Sequence, residues 1–171
     1  MGGLSRADLR SALAAAGVRL NASAATLLDL PLFANTKAET VEIVERTPGQ
    51  LGLTDGATLP SILAAARDHG LMLCPPCTGP YLRLAMLEQQ NAPDSVMSNG
   101  RPPTGALHVA SERLRAEYDY PRGFYLRVVA RTLWLRGFRC SDDAPWSSDD
   151  RFAFRSSETP ARDDASAHAM A

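Results

Sequence analysis

Cys74-Pro75-Pro76-Cys77 has the separation of a thiol–disulfide redox pair, the most direct suggestion of chemistry in the sequence. Such chemistry needs a thiolate where a strand meets a helix, so that the helix dipole lowers its pKa, and a second thiol to resolve the mixed disulfide. Leu71 to Leu73 offers a candidate strand and Tyr81 to Glu88 a candidate helix. Against it, Pro80 comes late for a helix beginning at Cys74, and no acid or tryptophan stands close to the pair. The same thiols could hold zinc if Cys140 and either His69 or His108 completed a tetrahedral set. Structural zinc sites usually present a second closely spaced pair of ligands, and this sequence has none. The bland reading makes both cysteines small buried thiols in a proline-shaped turn, and it is the one expected: no catalytic residue, no metal and no cofactor.

Other constellations are weaker. His108 and Ser111 belong to one strand-like run, and the Gly-x-Ser-x-Gly elbow of a hydrolase is missing. Asp142-Asp143 and Asp149-Asp150 bracket Pro145-Trp146 without the spacing of a calcium loop. Aspartates favour turns for backbone reasons, so Trp146 reads as the hydrophobic anchor of that loop. Gly49, Gly52 and Gly56 form neither a phosphate-binding loop nor a dinucleotide fingerprint.

Tyr125, Arg127, Trp134 and Arg136 could share one sheet face, which with Trp146 gives a candidate binding surface. Basic residues interleaved with aromatics can stack single-stranded nucleic acid. The acids Glu112, Glu117, Asp119, Asp142 and Asp143 are mixed among them, so the local field largely cancels. A solvated sheet face is therefore expected first, a protein-binding face second and nucleic acid third.

The elements that must position these residues follow from period and punctuation. Ser5 and Asp8 begin a helix carrying Leu9, Leu13 and Ala16, and Gly17 ends it. A second helix, Ala22 to Asp29, is capped by Asn21 and stops before Pro31. Thr40 to Thr47 reads as a strand, and a helix follows with Thr58 as cap, Pro60 in its first turn and Gly70 as terminator. Alternation of Leu82, Arg83, Leu84 and Met86 favours a strand over Tyr81 to Leu87. Residues 88–105 form a long loop, of the kind that is either functional or mobile. Ala106 to Ser111, Phe124 to Val129, Trp134 to Cys140 and Arg151 to Arg155 are strand-like, and short connections favour an antiparallel meander. From Ser156 onward the chain is polar and aperiodic, and a disordered tail is expected.

The fold class expected is α+β: a helical subregion (5–33) on a mostly antiparallel sheet, with a strand–helix–strand segment (40–87) and a β-meander (106–155) in one domain (1–155). At 171 residues a chain buries roughly 70% of its unfolded surface and needs no metal or disulfide support. A hydrophobic fraction of 45% with net charge −1 describes an ordinary globular protein, without a global field for nucleic acid or anionic membranes. No run reaches the ~20 apolar residues of a membrane span, no signal-peptide pattern is seen, and the cytoplasm is the expected location. Lys37 is the only lysine against 17 arginines, a bias read as that of a GC-rich bacterial genome.

The blocks Leu73-Cys74-Pro75, Gly79-Pro80, Leu82-Arg83-Leu84 and Trp146 to Phe154 resemble a family of small bacterial proteins, over residues 20–155. The resemblance implies no activity and no site residues. In that family's pattern another residue usually stands at the position of Cys77, and Asn91 to Thr104 is an insertion. The function expected is a non-enzymatic protein-binding or regulatory module with an unidentified protein partner, using the sheet face or the 88–105 loop. The alternatives are a thiol oxidoreductase centred on Cys74, a zinc site and a single-stranded nucleic-acid module.

Overall fold

Asn21 shows how local sequence sets this architecture. Its side-chain oxygen accepts from Ala24 N at 2.9 Å and from Gly137 N at 2.8 Å, and its amide donates to the Gly137 carbonyl at 2.9 Å. One residue thus caps a helix and completes a strand edge. A Cβ on Gly137 would lie 2.7 Å from the Ser23 backbone, so glycine is what lets helix and strand approach so closely. The computed structural model describes residues 1–34, 37–97, 100–117 and 119–157.

In chain order the elements are α1 (Arg6–Ala15), β1 (Arg19–Leu20), α2 (Ala22–Leu28), β2 (Ile43–Arg46), β3 (Ala57–Thr58), α3 (Leu59–Asp68), β4 (Leu71–Met72) and α4 (Thr78–Ala85). Then come β5 (Leu107–Val109), β6 (Gly123–Val129), β7 (Thr132–Phe138), β8 (Pro145–Trp146) and β9 (Arg151–Ser156). The class is α+β, with a mixed, mostly antiparallel sheet in the order β1-β7-β6-β5-β9-β2 and β4 also paired to β9. A small β3–β8 pair stands apart from it. Among the described residues no helix is long and apolar enough to cross a membrane.

Period-two alternation assigns the layers. Leu107, Val109, Leu126, Leu135 and Ala153 pack with Leu9, Leu13, Leu27, Leu28 and Leu82 from α1, α2 and α4. Phe152 and Phe154 point the other way and pack with Ile62, Leu63 and Ala66 of α3 and with Trp146. The sheet is therefore covered on both faces. Each fully buried leucine or phenylalanine contributes roughly 1.5–3 kcal/mol, so neither layer is dispensable.

Three expectations change. The segment Tyr81 to Leu87 is not a strand: most of it lies in α4, which starts at Thr78 and carries Pro80 in its first turn, where no backbone N–H is required. The alternation misled because Arg83 is fully buried, its guanidinium bonding Gln89 Oε1 at 2.7 Å and the Met86 carbonyl. The β-meander holds for β5–β6–β7, but β9 crosses to the far side of β5 and pairs with it in parallel. Finally, the sheet face carrying Tyr125 and Arg127 is not solvated, for both residues are buried. Of the expected tail, Ser156 closes β9 with its N–H on the Glu42 carbonyl, and residues 158–171 lie outside the described residues.

Candidate functional site

The cysteine–proline turn is bonded into the core. Cys74 N donates to the Ala110 carbonyl at 2.7 Å, and its thiol donates to the Ala153 carbonyl at 3.4 Å. Burial pushes the Cys74 thiol up to about 12, so a thiolate there is strongly disfavoured. Cys77 occupies the N-cap position of α4, half-buried, and its thiol is also pushed up, by burial and then by the charge of Glu39. Both thiols are free, not joined in a disulfide. At each sulfur burial is the largest influence, and it disfavours the thiolate.

The residues suggested for zinc are dispersed. His69 ends α3, Cys140 follows β7, and burial pushes the Cys140 thiol up. Among the described residues no group of three His, Cys, Asp or Glu side chains is placed to hold a metal ion. Asp142 is taken by Arg113 at 2.7 Å, and the Asp150 carboxylate accepts Ser147 N at 2.7 Å, as turn residues do.

The sheet face divides into two ends. Register places Arg127 opposite Trp134 and Tyr125 opposite Arg136. Arg127 is wholly inaccessible, and its guanidinium is consumed by Asp94, Val96 and Thr104 of the long loop. It donates to the carbonyls of Thr104 (2.9 Å), Val96 (2.7 Å) and Asp94 (3.0 Å) and to the Asp94 carboxylate (2.9 Å). Asn91 fastens the start of that loop, accepting from Arg131 N at 2.9 Å. Much of the long 88–105 loop is therefore structural cover for one end of the sheet.

The other end holds a cavity of about 430 Å³, within the range of small-ligand sites. Its floor is aromatic. His108 packs against Trp146, Phe138, Tyr125 and Phe152 at ring-centroid distances of 4.8, 5.1, 5.2 and 5.7 Å. Gly100 to Pro103 and parts of the 139–146 connection form its walls, and Arg136, Asn21 and Met97 also line it. Arg136 stacks over Trp134, its guanidinium carbon 4.9 Å from the ring centroid.

Electrostatically the cavity is unusual in what it leaves unmade. His108 is fully buried, and burial pushes it down to about 3, so the ring stays neutral at ordinary pH. One ring nitrogen bonds the Arg151 backbone; Nδ1 has no partner, so Nε2 carries the proton and Nδ1 a bare lone pair. The indole N–H of Trp146 and Nε of Arg136 are likewise buried without a hydrogen-bond partner. Burial pushes the Tyr125 phenol up, with the charge and hydrogen bond of Arg136 opposing. A buried polar group left unpaired costs roughly 1–3 kcal/mol, and three lie on residues lining one cavity.

Of the sequence candidates, Tyr125, Arg136 and Trp146 thus come together here. Trp134 stands beside them as the support of Arg136, while Arg127 lies at the covered end. Sequence reasoning missed Phe138, Phe152, Arg101 and Arg139, and it treated His108 only as a possible nucleophile partner or metal ligand. Their signal was there in the alternation, since His108, Tyr125, Arg136 and Phe138 share a face once the strand register is known. No protein-family model, curated protein or solved structure matches this chain.

Proposed function

We propose that this protein is a non-enzymatic binding module, regulatory in character, whose ligand is a small planar organic molecule seated in the aromatic cavity. The observation that carries the reading is an aromatic cavity whose lining includes three residues, His108, Trp146 and Arg136, that each keep a buried polar atom without a hydrogen-bond partner. A flat ring suits the cage of His108, Tyr125, Phe138 and Trp146, and such contacts contribute beyond the area they bury. Catalysis is not part of the reading, because His108 is held neutral by burial and is a poor base, and burial disfavours the thiolates of Cys74, Cys77 and Cys140. A broad protein-docking face is less well supported. The large exposed apolar residues, Leu4, Leu32, Met72, Leu87 and Val96, belong to five separate segments.

Ligand-observed NMR with one- and two-ring aromatic fragments at about 1 mM tests it, since even millimolar affinity registers there. Ala144 lines the cavity and is only half-buried, so Ala144→Phe fills the space without touching the cage. Fragments should bind the native protein and lose binding in the filled variant. Absence of any fragment binding, or binding that ignores Ala144→Phe, overturns the reading.

A further inference from the structure

The charge around the cavity says more about its occupant. Arg101, Arg136 and Arg139 all line it, and among the described residues no aspartate or glutamate does. None of the three takes part in the ion pairs found among the described residues, where Arg10, Arg113, Arg127 and Arg151 are the partnered arginines. Asp142 is held by Arg113, Asp143 is exposed and not part of the lining, and Asp149 and Asp150 line a neighbouring cavity that Arg101 also borders. In a chain of net charge −1, three arginines outside the ion pairs found make this rim locally positive, above all at Arg136 and Arg139, which do not border the cavity of Asp149 and Asp150. Guanidinium groups pair with planar and tetrahedral oxyanions through several parallel N–H donors.

Resting on the small-ligand reading above, we infer that the occupant is an aromatic anion, its ring in the cage of His108, Tyr125, Phe138 and Trp146 and its acid group among Arg101, Arg136 and Arg139. The ring fixes depth, because the cage is apolar and flat. The anion fixes direction, because every charged side chain among the described lining residues is cationic. Arg136 is the central contact: it is half-buried, already oriented by Trp134, and its Nε is without a partner. Arg101 and Arg139 are exposed and act at longer range.

Two matched pairs of probes separate charge from shape and carboxylate from phosphate: indole-3-carboxylate against indole-3-carboxamide, and uridine monophosphate against uridine. Titration calorimetry at low salt should show at least one anion binding ten-fold or more tighter than its neutral partner, with the gap shrinking as salt is raised. The pair showing the larger gap names the oxyanion. Arg136→Gln should abolish most of the preference, and Arg131→Gln, at the distant hairpin tip, should leave it intact. Should Arg136→Gln fold poorly, Arg139→Gln on the exposed rim should still reduce the preference several-fold. Equal binding of charged and neutral partners would overturn the inference while sparing the small-ligand reading. Binding by none of the four probes, in a protein that also binds no neutral fragment, would remove both.

Discussion

Arg127 and Arg136 sit on paired strands of the same sheet face, and they have opposite fates. Arg127 is completely buried with its donors spread over three carbonyls and a carboxylate. Arg136 is half-buried, stacked on Trp134, outside any ion pair found, and has an unpartnered Nε at the edge of a cavity. A fully bonded arginine has no capacity left for a ligand; its bonds hold the protein to itself. One with donors in reserve carries a desolvation cost that a ligand can relieve. The cysteine–proline turn follows the Arg127 pattern, for the Cys74 thiol and backbone N–H both have internal acceptors. Hydrogen-bond saturation, rather than residue type, separates structure from candidate function in this molecule.

The contrast breaks most easily at Arg127. Replacing it with leucine removes the buried guanidinium and strands the carbonyls of Asp94, Val96 and Thr104. The expected loss is about 3 kcal/mol or more, read from the urea midpoint at unchanged m-value. Arg136→Gln should cost about 1 kcal/mol in the same experiment, the usual worth of a hydrogen bond such as the one it makes to the Tyr125 phenol. Similar losses for the two variants would dissolve the distinction.

A smaller effect comes from His108. Its folded pKa is pushed from 6.5 down to about 3 by burial, so the unfolded chain binds a proton between those values that the folded protein refuses. Stability from this group is fully present above pH 6.5 and is lost as pH falls toward 3, by an amount on the order of a few kcal/mol. His108→Phe should flatten that part of the pH–stability curve, as followed by thermal unfolding between pH 7 and pH 4. An unchanged acid slope would mean that His108 is hydrated, and the cage would then be wetter than its contacts indicate.

What the sequence revealed divides along the same line. Short-range signals were legible: Ser5 and Asn21 cap their helices by accepting from Asp8 N and Ala24 N. The alternation of Phe124 to Val129 gave β6 and both its faces. Arg83 and Arg127 misled, because an arginine in an alternating run reads as solvent-facing, and only long-range partners such as Gln89 and Asp94 make burial tolerable. The parallel pairing of β9 with β5 was illegible for a similar reason, as it depends on a crossover and not on any local period. Tyr125, Arg136 and Trp146 were legible as residue types, but their meeting around His108 needed the register of three strands and the return of β8. Sites assembled from several elements leave little trace in any one of them.

The hairpin tip at the covered end offers the finest test of the contrast. Ala130 and Arg131 both hold positive φ, 48° and 63°, in the two-residue turn joining β6 to β7. That turn favours asparagine and glycine, because a side chain at positive φ is strained. The conformation persists because Asn91 grips Arg131 N while Ala92 N bonds the Val128 carbonyl, tying the start of the long loop to the hairpin. Arg131→Gly keeps the gripped N–H and removes the strain, so a gain of roughly 0.5–1 kcal/mol is expected, seen as a rise of a few degrees in Tm. Combined with Asn91→Ala, the same glycine should no longer offset a local cost alone: the double variant should fall short of the sum of the single effects, because strain and grip act on one turn. Strict additivity would indicate that the tip is held by the strands themselves, and that the loop merely rests on it.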